Sequence, residues 1–95
     1  MTEVRKTDAF NGWLSGLRDR VAVARINNRI IRVEAGNLGD AKFFDGIGEL
    51  WIDYGPGYRV YFVRRGAELI ILLGGGDKST QQADIKRAIA LAKEG

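Results

Sequence analysis

The residues best suited to chemistry lie in a predicted hairpin at positions 49–63, which reads ELWIDYGPGYRVYFV. Two aromatic and β-branched runs flank a Gly-Pro-Gly cluster, a pattern that favours two strands joined by a tight reversal. We expect Tyr54 to pair with Tyr58 across this turn. Because side chains alternate between the faces of a strand, one face is then apolar, and the other carries a carboxylate, a guanidinium and two aromatic rings.

The polar face of this hairpin has both a functional and a structural interpretation. The expected pairing places Asp53 opposite Arg59 and Trp51 opposite Tyr61. A guanidinium binds phosphate through two hydrogen bonds, and an exposed aromatic ring stacks on a nucleobase. The same residues equally form a structural ion pair and an aromatic pair that stabilises the hairpin.

The composition limits which residue types could act as catalytic groups or metal ligands. The sequence contains no histidine and no cysteine, so it lacks the usual general base near neutral pH, the commonest metal ligand and any thiolate. Catalysis would therefore depend on Asp, Glu, Lys, Arg, Tyr, Ser or Thr. The net charge of +3 is compatible with a nucleic-acid partner, and is also common among small soluble domains.

The length of 95 residues predicts a single domain spanning residues 1–95. With 45% hydrophobic and 28% charged residues, the composition is that of a globular protein. No apolar run approaches the ~18 residues of a membrane span, and the first residues lack the apolar core of a signal peptide. We therefore expect a cytoplasmic protein without a membrane partner.

The elements that position the hairpin follow from periodicity and caps. Residues 2–6 predict a short edge strand, and Thr7 or Asp8 is expected to cap a first helix. A second helix runs from about residue 20 to Glu34, where Gly36 ends it, so that the two helices form an antiparallel helical hairpin. Residues 36–48 are rich in glycine and predict a loop or a weak strand start.

The remaining elements complete an α+β domain. The apolar run at 68–73 predicts a middle strand, after which three glycines release the chain and Ser79 or Thr80 caps a last helix. We expect an N-terminal helical hairpin and a C-terminal helix packed on a small twisted antiparallel sheet.

Further cations lie outside the hairpin. Arg18, Arg25, Arg29 and Arg32 are predicted on the polar face of the second helix, either simply solvated or as an electrostatic surface for RNA or an acidic peptide. Lys42 precedes the hairpin, either within reach of a phosphate or merely exposed in a loop.

Lys78 follows the glycines and precedes a helix, where backbone amides and a cation favour anions. The spacing is not that of a P-loop, so we reject an ATPase. The other interpretation of Lys78 is a solvated residue in an ordinary turn.

Two segments carry a resemblance to a known family: ELWIDYGPGYRVYF at 49–62 and LGGGDKSTQ at 73–81. Together they resemble the RelE/ParE superfamily, and within it the HigB-like "addiction module killer protein" branch, over residues 4–93. The resemblance implies a RelE/ParE-like fold with the order of elements predicted above. It also implies the toxin half of a bacterial type II toxin–antitoxin pair.

The resemblance implies a ribosome-dependent mRNA endonuclease, an mRNA interferase that inhibits translation through metal-independent attack by the ribose 2′-OH. Arg59 matches the strand arginine that supports cleavage, and Lys78 the basic residue that assists the phosphate or leaving group. Asp53 is then a base or positions Arg59. Lys42, with the two aromatic residues 51 and 61, would bind the RNA. No cofactor or metal is expected.

The expected partners are a cognate helix-turn-helix (HigA-like) antitoxin, the ribosome and mRNA, with operator DNA bound only through the antitoxin. The sequence departs from the pattern of the resembled family in two places. Relatives usually have arginine in place of Trp51, and a tyrosine expected in the region 81–84 is absent. Two alternatives remain: a ParE-like inhibitor of DNA gyrase, and a non-catalytic module that binds its antitoxin and regulates transcription.

Overall fold

The computed structural model describes residues 2–94. No helix within this range is long and apolar enough to cross a membrane. The elements in chain order are β1 (Glu3–Lys6), α1 (Asp8–Ser15), α2 (Arg20–Glu34), β2 (Ala41–Phe44), β3 (Ile47–Ile52), β4 (Tyr58–Arg65), β5 (Leu69–Gly76), a 3₁₀ turn (Lys78–Thr80) and α3 (Gln81–Glu94).

The strands form one mixed sheet in the order β1-β5-β4-β3-β2. β2 to β5 pair antiparallel with their neighbours, whereas β1 runs parallel to β5, with Glu3 opposite Leu69 and Lys6 opposite Leu72. The predicted α+β class, edge strand and middle strand are confirmed. The expectation of a purely antiparallel sheet is wrong, because no hairpin fixes the direction of a short N-terminal strand.

Helices cover both faces of the sheet. α1 and α2 pack with Leu50, Val60 and Phe62 on one face, which forms the larger apolar core. α3 covers the other face, where Tyr61 and Ala88 belong to a smaller core. The sheet therefore lies between two helical layers, and the polar face of the central hairpin is the face beneath α3.

The cap predicted for the first helix is confirmed at Thr7, whereas the cap of α2, Asp19, was not predicted. Thr7 Oγ1 accepts the Phe10 amide at 3.2 Å, and Asp19 caps α2 by accepting two amides. Gly36 follows α2 with a φ of 93°, in the region that favours glycine. The predicted helical hairpin is less regular than expected, since α1 packs mainly on β5 and α2 on β1 and β3.

The glycine-rich segment 36–48 contains β2, which was predicted only as a loop or weak strand start. β2 joins β3 through Asp45 and Gly46, whose φ angles are 50° and 83°. Two consecutive positive φ angles are the signature of a type I′ hairpin turn. The consequence for function is that Lys42 lies within the sheet, opposite Glu49.

The β3–β4 hairpin exists as predicted, but its pairing differs by two residues. Trp51 lies opposite Arg59, and Glu49 lies opposite Tyr61. The predicted pairs Asp53–Arg59 and Trp51–Tyr61 are therefore wrong. Because the shift is an even number of residues, the predicted apolar and polar faces are still correct.

Tyr54 lies in the hairpin loop and takes no part in the strand pairing. Instead of pairing with Tyr58, its hydroxyl donates to Asp19 at 2.9 Å, and the Arg25 guanidinium lies 5.0 Å from its ring centroid. These contacts direct Tyr54 towards the N-terminus of α2, and the hairpin loop contains residues 53–57.

β5 continues through the three glycines that were predicted to release the chain, and ends at Gly76. A Cβ at Gly76 would overlap the Asp84 carboxylate of α3, so glycine permits this helix to lie close to the sheet. Asp77 accepts the Ser79 amide at 2.8 Å and caps the helical segment. The predicted caps Ser79 and Thr80 are therefore wrong.

Candidate functional site

The candidate site is a pocket of about 440 Å³ on the α3 side of the sheet. Its polar side chains come from Asp40 just before β2, from the adjacent strands β2, β3 and β4, and from the first residue of α3. We name it the sheet pocket and define it by its lining residues: Asp40, Ala41, Lys42, Glu49, Trp51, Arg59 and Gln81.

Arg59 of β4 is held from two sides. Its Nη1 donates to the Gly57 carbonyl at 2.9 Å, and its Nε lies 3.8 Å from Glu49 Oε2. The side chain is only 14% exposed, and neither contact uses Nη2. The guanidinium is therefore fixed in direction and retains donors for an anion.

Glu49 of β3 is the carboxylate beside Arg59, and the sequence analysis did not identify it as a site residue. Its side chain is 7% exposed, and its Oε2 accepts a hydrogen bond from Gln81 Nε2 at 3.2 Å. A buried charge of this kind needs partners, and these two residues provide them. The sequence signal was a carboxylate on the polar face of the hairpin. Gln81 carried no comparable signal.

Tyr61 lies opposite Glu49 beneath the pocket and is fully buried. Its hydroxyl finds no hydrogen-bond partner among residues 2–94. Burial raises the pKa of Tyr61 far above its ordinary value, and the charges of Glu49 and Asp84 raise it further, so the phenol stays neutral. The predicted stacking of Tyr61 on RNA is wrong in this structure, because the ring has no exposed surface.

Trp51 and Lys42 are predicted RNA-binding residues that do line the pocket. The Trp51 side chain is 47% exposed at the rim. Lys42 and Arg59 lie on strands either side of β3 and are offset by two residues along the sheet, so their backbones are about 12 Å apart with Glu49 between the two strands. The pocket therefore presents two cations around one buried carboxylate.

Asp53 and Lys78, the other predicted catalytic residues, lie outside the sheet pocket. Asp53 is exposed in the loop after β3, and Lys78 is exposed in the 3₁₀ turn. Beside Lys78, hydrogen bonds from Ser79 hold the pKa of Asp77 below its ordinary value, with a smaller contribution from Arg59. The structure thus gives neither predicted residue a place in the pocket lining.

A second concave surface lies between α2 and the end of β3, with a volume of about 550 Å³. It shares Asp40 and Trp51 with the sheet pocket, so the two surfaces are continuous. We name it the arginine groove and define it by its lining residues: Arg25, Asn28, Arg29, Arg32, Gly39, Asp40, Trp51, Ile52 and Asp53.

Arg29 departs from the predicted solvated face of α2. It is only 5% exposed, and its Nη2 donates to the carbonyls of Leu38 at 2.5 Å and Asp40 at 3.0 Å. Its Nη1 has no partner within residues 2–94. Burial lowers the pKa of this guanidinium, and the neighbouring Arg32 lowers it further. The prediction of an exposed Arg29 is wrong because the segment after α2 folds back over it.

The geometry of the sheet pocket suits an anionic ligand that also offers a proton. Arg59 and Lys42 can approach an anion from two sides, and the Glu49 carboxylate between them is a proton acceptor. Trp51 adds an apolar face at the rim. Among residues 2–94, no group of three or more His, Cys, Asp or Glu side chains is arranged to hold a metal ion.

Fold and site together define a small α+β domain with a mixed five-stranded sheet and a polar pocket on that sheet. Over 93 residues the chain is 53% identical to an uncharacterized protein of Haemophilus influenzae, a match that covers 97% of this chain and 94% of that protein. The chain therefore belongs to the same family as the Haemophilus protein. No family model and no solved structure matches the chain.

Proposed function

We propose that this protein is the toxin of a type II toxin–antitoxin system and cleaves mRNA on the ribosome. The observation that supports this most directly is the arrangement of Arg59, which is fixed beside a buried carboxylate on the pocket face of the sheet. Lys42 and Trp51 line the same pocket, as expected for residues that bind RNA. The resemblance to RelE/ParE toxins in the hairpin and glycine segments supplies the class of reaction.

The proposed reaction is attack by the ribose 2′-OH on the adjacent phosphorus. Glu49 accepts the hydroxyl proton, in place of Asp53, because Glu49 is the carboxylate within 4 Å of Arg59. Arg59 donates to the non-bridging oxygens, on which negative charge increases in the transition state.

The bond between phosphorus and the 5′-oxygen then breaks as the 2′-oxygen bond forms. The departing 5′-oxygen takes its proton from Lys42, which lies on the other side of β3 from Arg59. The products are a 2′,3′-cyclic phosphate and a 5′-hydroxyl, so no oxidant, reductant or water is consumed.

The two departures from the family pattern fall within this pocket. Trp51 occupies the place of an expected arginine, and Lys42 supplies a cation one strand further along the sheet. Gln81, in the region where a tyrosine was expected, hydrogen-bonds Glu49. Under the proposal, Gln81 therefore orients the carboxylate and makes no direct contact with the scissile bond.

The proposed partners follow from this function. A helix-turn-helix antitoxin neutralises the toxin in the cytoplasm and carries the complex to operator DNA, and the free toxin acts on mRNA bound to the ribosome. Lys78, exposed beside Asp77, is assigned to contacts with RNA outside the pocket.

Controlled expression in growing bacteria tests the proposal. Induction of the unaltered protein should stop incorporation of labelled amino acids before that of labelled thymidine, and Arg59→Ala should abolish this effect. Arg64→Ala is the matched control, since Arg64 is an exposed arginine of the same strand outside the sheet pocket. Early arrest of DNA synthesis with Arg59→Ala still toxic would contradict the nuclease and favour gyrase as the target.

A non-catalytic binding module is a second candidate, and a specific observation favours it. The two cations of the sheet pocket face two carboxylates, Asp40 and Glu49, and Lys78 does not line it. A protein of this kind would bind its antitoxin without arresting growth. Normal growth and normal translation after induction of a soluble, folded protein would therefore select this candidate.

A further inference from the structure

The arginine groove is more positively charged than the sheet pocket. Its lining contains Arg25, Arg29 and Arg32 but only two carboxylates, Asp40 and Asp53. The sheet pocket has equal numbers of cationic and anionic side chains. An anionic polymer that lies across both surfaces is therefore attracted mainly by the groove.

Arg29 places a buried, incompletely paired guanidinium beneath the groove. The residue is only 5% exposed, and its Nη1 finds no acceptor within residues 2–94. Buried donors are normally paired, so an orphaned guanidinium nitrogen in the wall of a groove calls for an explanation. A phosphate bound in the groove would stabilise this buried positive charge through space.

Arg25 and Arg32 extend the groove along α2. Seven residues separate them, so they lie on one face of the helix and about 10 Å apart along its axis. Arg25 is held over the Tyr54 ring, with its guanidinium carbon 5.0 Å from the ring centroid, and Tyr54 is itself bonded to Asp19. Both arginines are exposed, and Arg25 is pre-positioned by the tyrosine ring.

Trp51 connects this groove with Arg59. Its half-exposed indole lines both surfaces and stands opposite Arg59 in the sheet. Proteins that bind single-stranded nucleic acid combine a cationic track for the backbone with aromatic rings on which bases stack. The order of cations, exposed indole and cation here follows that pattern.

We propose that the arginine groove binds the backbone of single-stranded RNA whose scissile phosphate lies at Arg59. Arg25 and Arg32 bind neighbouring phosphates, the buried Arg29 adds its positive charge from beneath them, and Trp51 stacks on a base between the groove and the pocket. The choice of RNA rests on the proposed function. An acidic peptide would match the arginines too, but the indole between the arginines of the groove and Arg59 favours alternating bases and phosphates.

The test measures binding separately from cleavage. The probe is a fluorescent 12-nucleotide single-stranded RNA with 2′-O-methyl riboses, which cannot be cleaved by 2′-OH attack, followed by anisotropy at several salt concentrations. The groove variant is Arg25→Gln with Arg32→Gln. The control is Lys86→Gln with Lys93→Gln, which removes the same charge from exposed residues of α3. Thermal unfolding checks that every variant is folded.

We expect the groove variant to bind at least about 10-fold more weakly than the parent, and the control at most about 2-fold more weakly. Loss of two phosphate contacts should also lower the slope of log Kd against log salt by about 1.4. Equal losses in both variants would overturn the proposal, since only net charge would then matter. Unchanged RNA binding in the groove variant, with groove-dependent binding of a polyglutamate peptide, would overturn it in favour of a protein partner.

This measurement distinguishes failure of the inference from failure of the proposed function. The loss of probe binding in the groove variant is expected whether or not the parent cleaves mRNA. Groove-dependent RNA binding by a protein that never cleaves mRNA would support the track and reject the nuclease. Cleavage of mRNA by the parent, together with normal RNA binding by the groove variant, would support the nuclease and reject the RNA track.

Discussion

The sheet pocket and the arginine groove share Trp51 and Asp40 but differ in how their cations are held. In the pocket, Arg59 is fixed by Gly57 and by the buried Glu49. In the groove, cations outnumber carboxylates, and one buried guanidinium nitrogen is unpaired within residues 2–94. A fixed, balanced cluster is suited to orienting reacting groups, whereas an excess of charge is suited to attracting a polyanion. The comparison predicts that binding and chemistry can be separated by mutation.

Among the substitutions that separate binding from chemistry, Glu49→Gln should produce the largest effect, and that effect should fall on the rate of cleavage in the sheet pocket. The amide keeps the volume and can still accept from Gln81, but it cannot take the 2′-OH proton. We expect cleavage to fall by about 10²-fold, the lower range for loss of a general base, with little change in RNA affinity. Rates of mRNA cleavage and anisotropy with an uncleavable RNA give the two numbers. A loss of affinity as large as the loss of rate would mean that Glu49 acts only on binding.

Trp51→Ala should affect both regions, because the indole lines both. Stacking on a base contributes about 1–3 kcal/mol in other proteins, which predicts roughly 10-fold weaker binding of single-stranded RNA and a similar loss of cleavage at limiting substrate. Trp51→Phe keeps an aromatic face and should retain most of the affinity. Equal loss in the alanine and phenylalanine variants would show that stacking is not the role of this residue.

Gly39→Ala should disturb the groove and leave the pocket intact. A Cβ at Gly39 would lie 2.8 Å from Arg29 Nη2, and the φ of 63° disfavours a side chain. Gly36→Ala is a matched control, since Gly36 also has a positive φ but has no atom within 4 Å of the added Cβ. The backbone strain should cost both variants about 1–2 kcal/mol of unfolding free energy.

Only Gly39→Ala should in addition weaken RNA binding. Denaturant unfolding and anisotropy with the uncleavable RNA make the comparison. Identical stability and identical affinity for the two variants would show that the position of Arg29 does not matter for the groove.

Asp19 should give the smallest effect, visible only as a dependence on pH. A hydrogen bond from Tyr54 lowers the pKa of Asp19, and amide bonds within α2 contribute. A carboxyl whose folded pKa is below its unfolded value of about 3.9 stabilises the fold above that pH, and the stabilisation is lost as the pH falls through the folded value.

Asp19→Asn keeps the cap but does not titrate, so its Tm should approach that of the parent on acidification below about pH 4. Tyr54→Phe removes the hydrogen bond that is the largest cause of the lowered pKa of Asp19. When Asp19→Asn is introduced into the Tyr54→Phe protein, the resulting change in Tm at neutral pH should therefore be smaller than in the parent. A difference in Tm that is constant from pH 7 to pH 3 would contradict this assignment.

Local signals in the sequence predicted much of the fold. Thr7 caps α1 and Gly36 ends α2, as their residue types indicate, while the cap of α2 at Asp19 was missed. β2 was missed although Asp45-Gly46 is a strong signal for a type I′ turn. The parallel direction of β1 carries no local signal, because it depends on pairing with a strand more than sixty residues away.

The candidate site was less predictable because it depends on tertiary contacts. The polar face of the hairpin was correct, but the register differs by two residues, Tyr54 contacts Asp19 in place of Tyr58, and Glu49 is the carboxylate near Arg59. Burial of Arg29 depends on the segment after α2, which its helical position does not reveal. Gln81 reaches the pocket only because α3 packs across the sheet.

Cleavage of a defined mRNA by the purified protein tests the central claim most directly. Translating ribosomes, one mRNA and either the parent protein or Arg59→Ala are incubated, and the new RNA ends are mapped, with naked mRNA as a control. We predict cuts that require ribosomes, carry 5′-hydroxyl ends and fall by about 10²–10³-fold in rate with Arg59→Ala. Intact mRNA with the folded parent protein, or cuts that persist unchanged with Arg59→Ala, would contradict the assignment of the sheet pocket as a ribonuclease site.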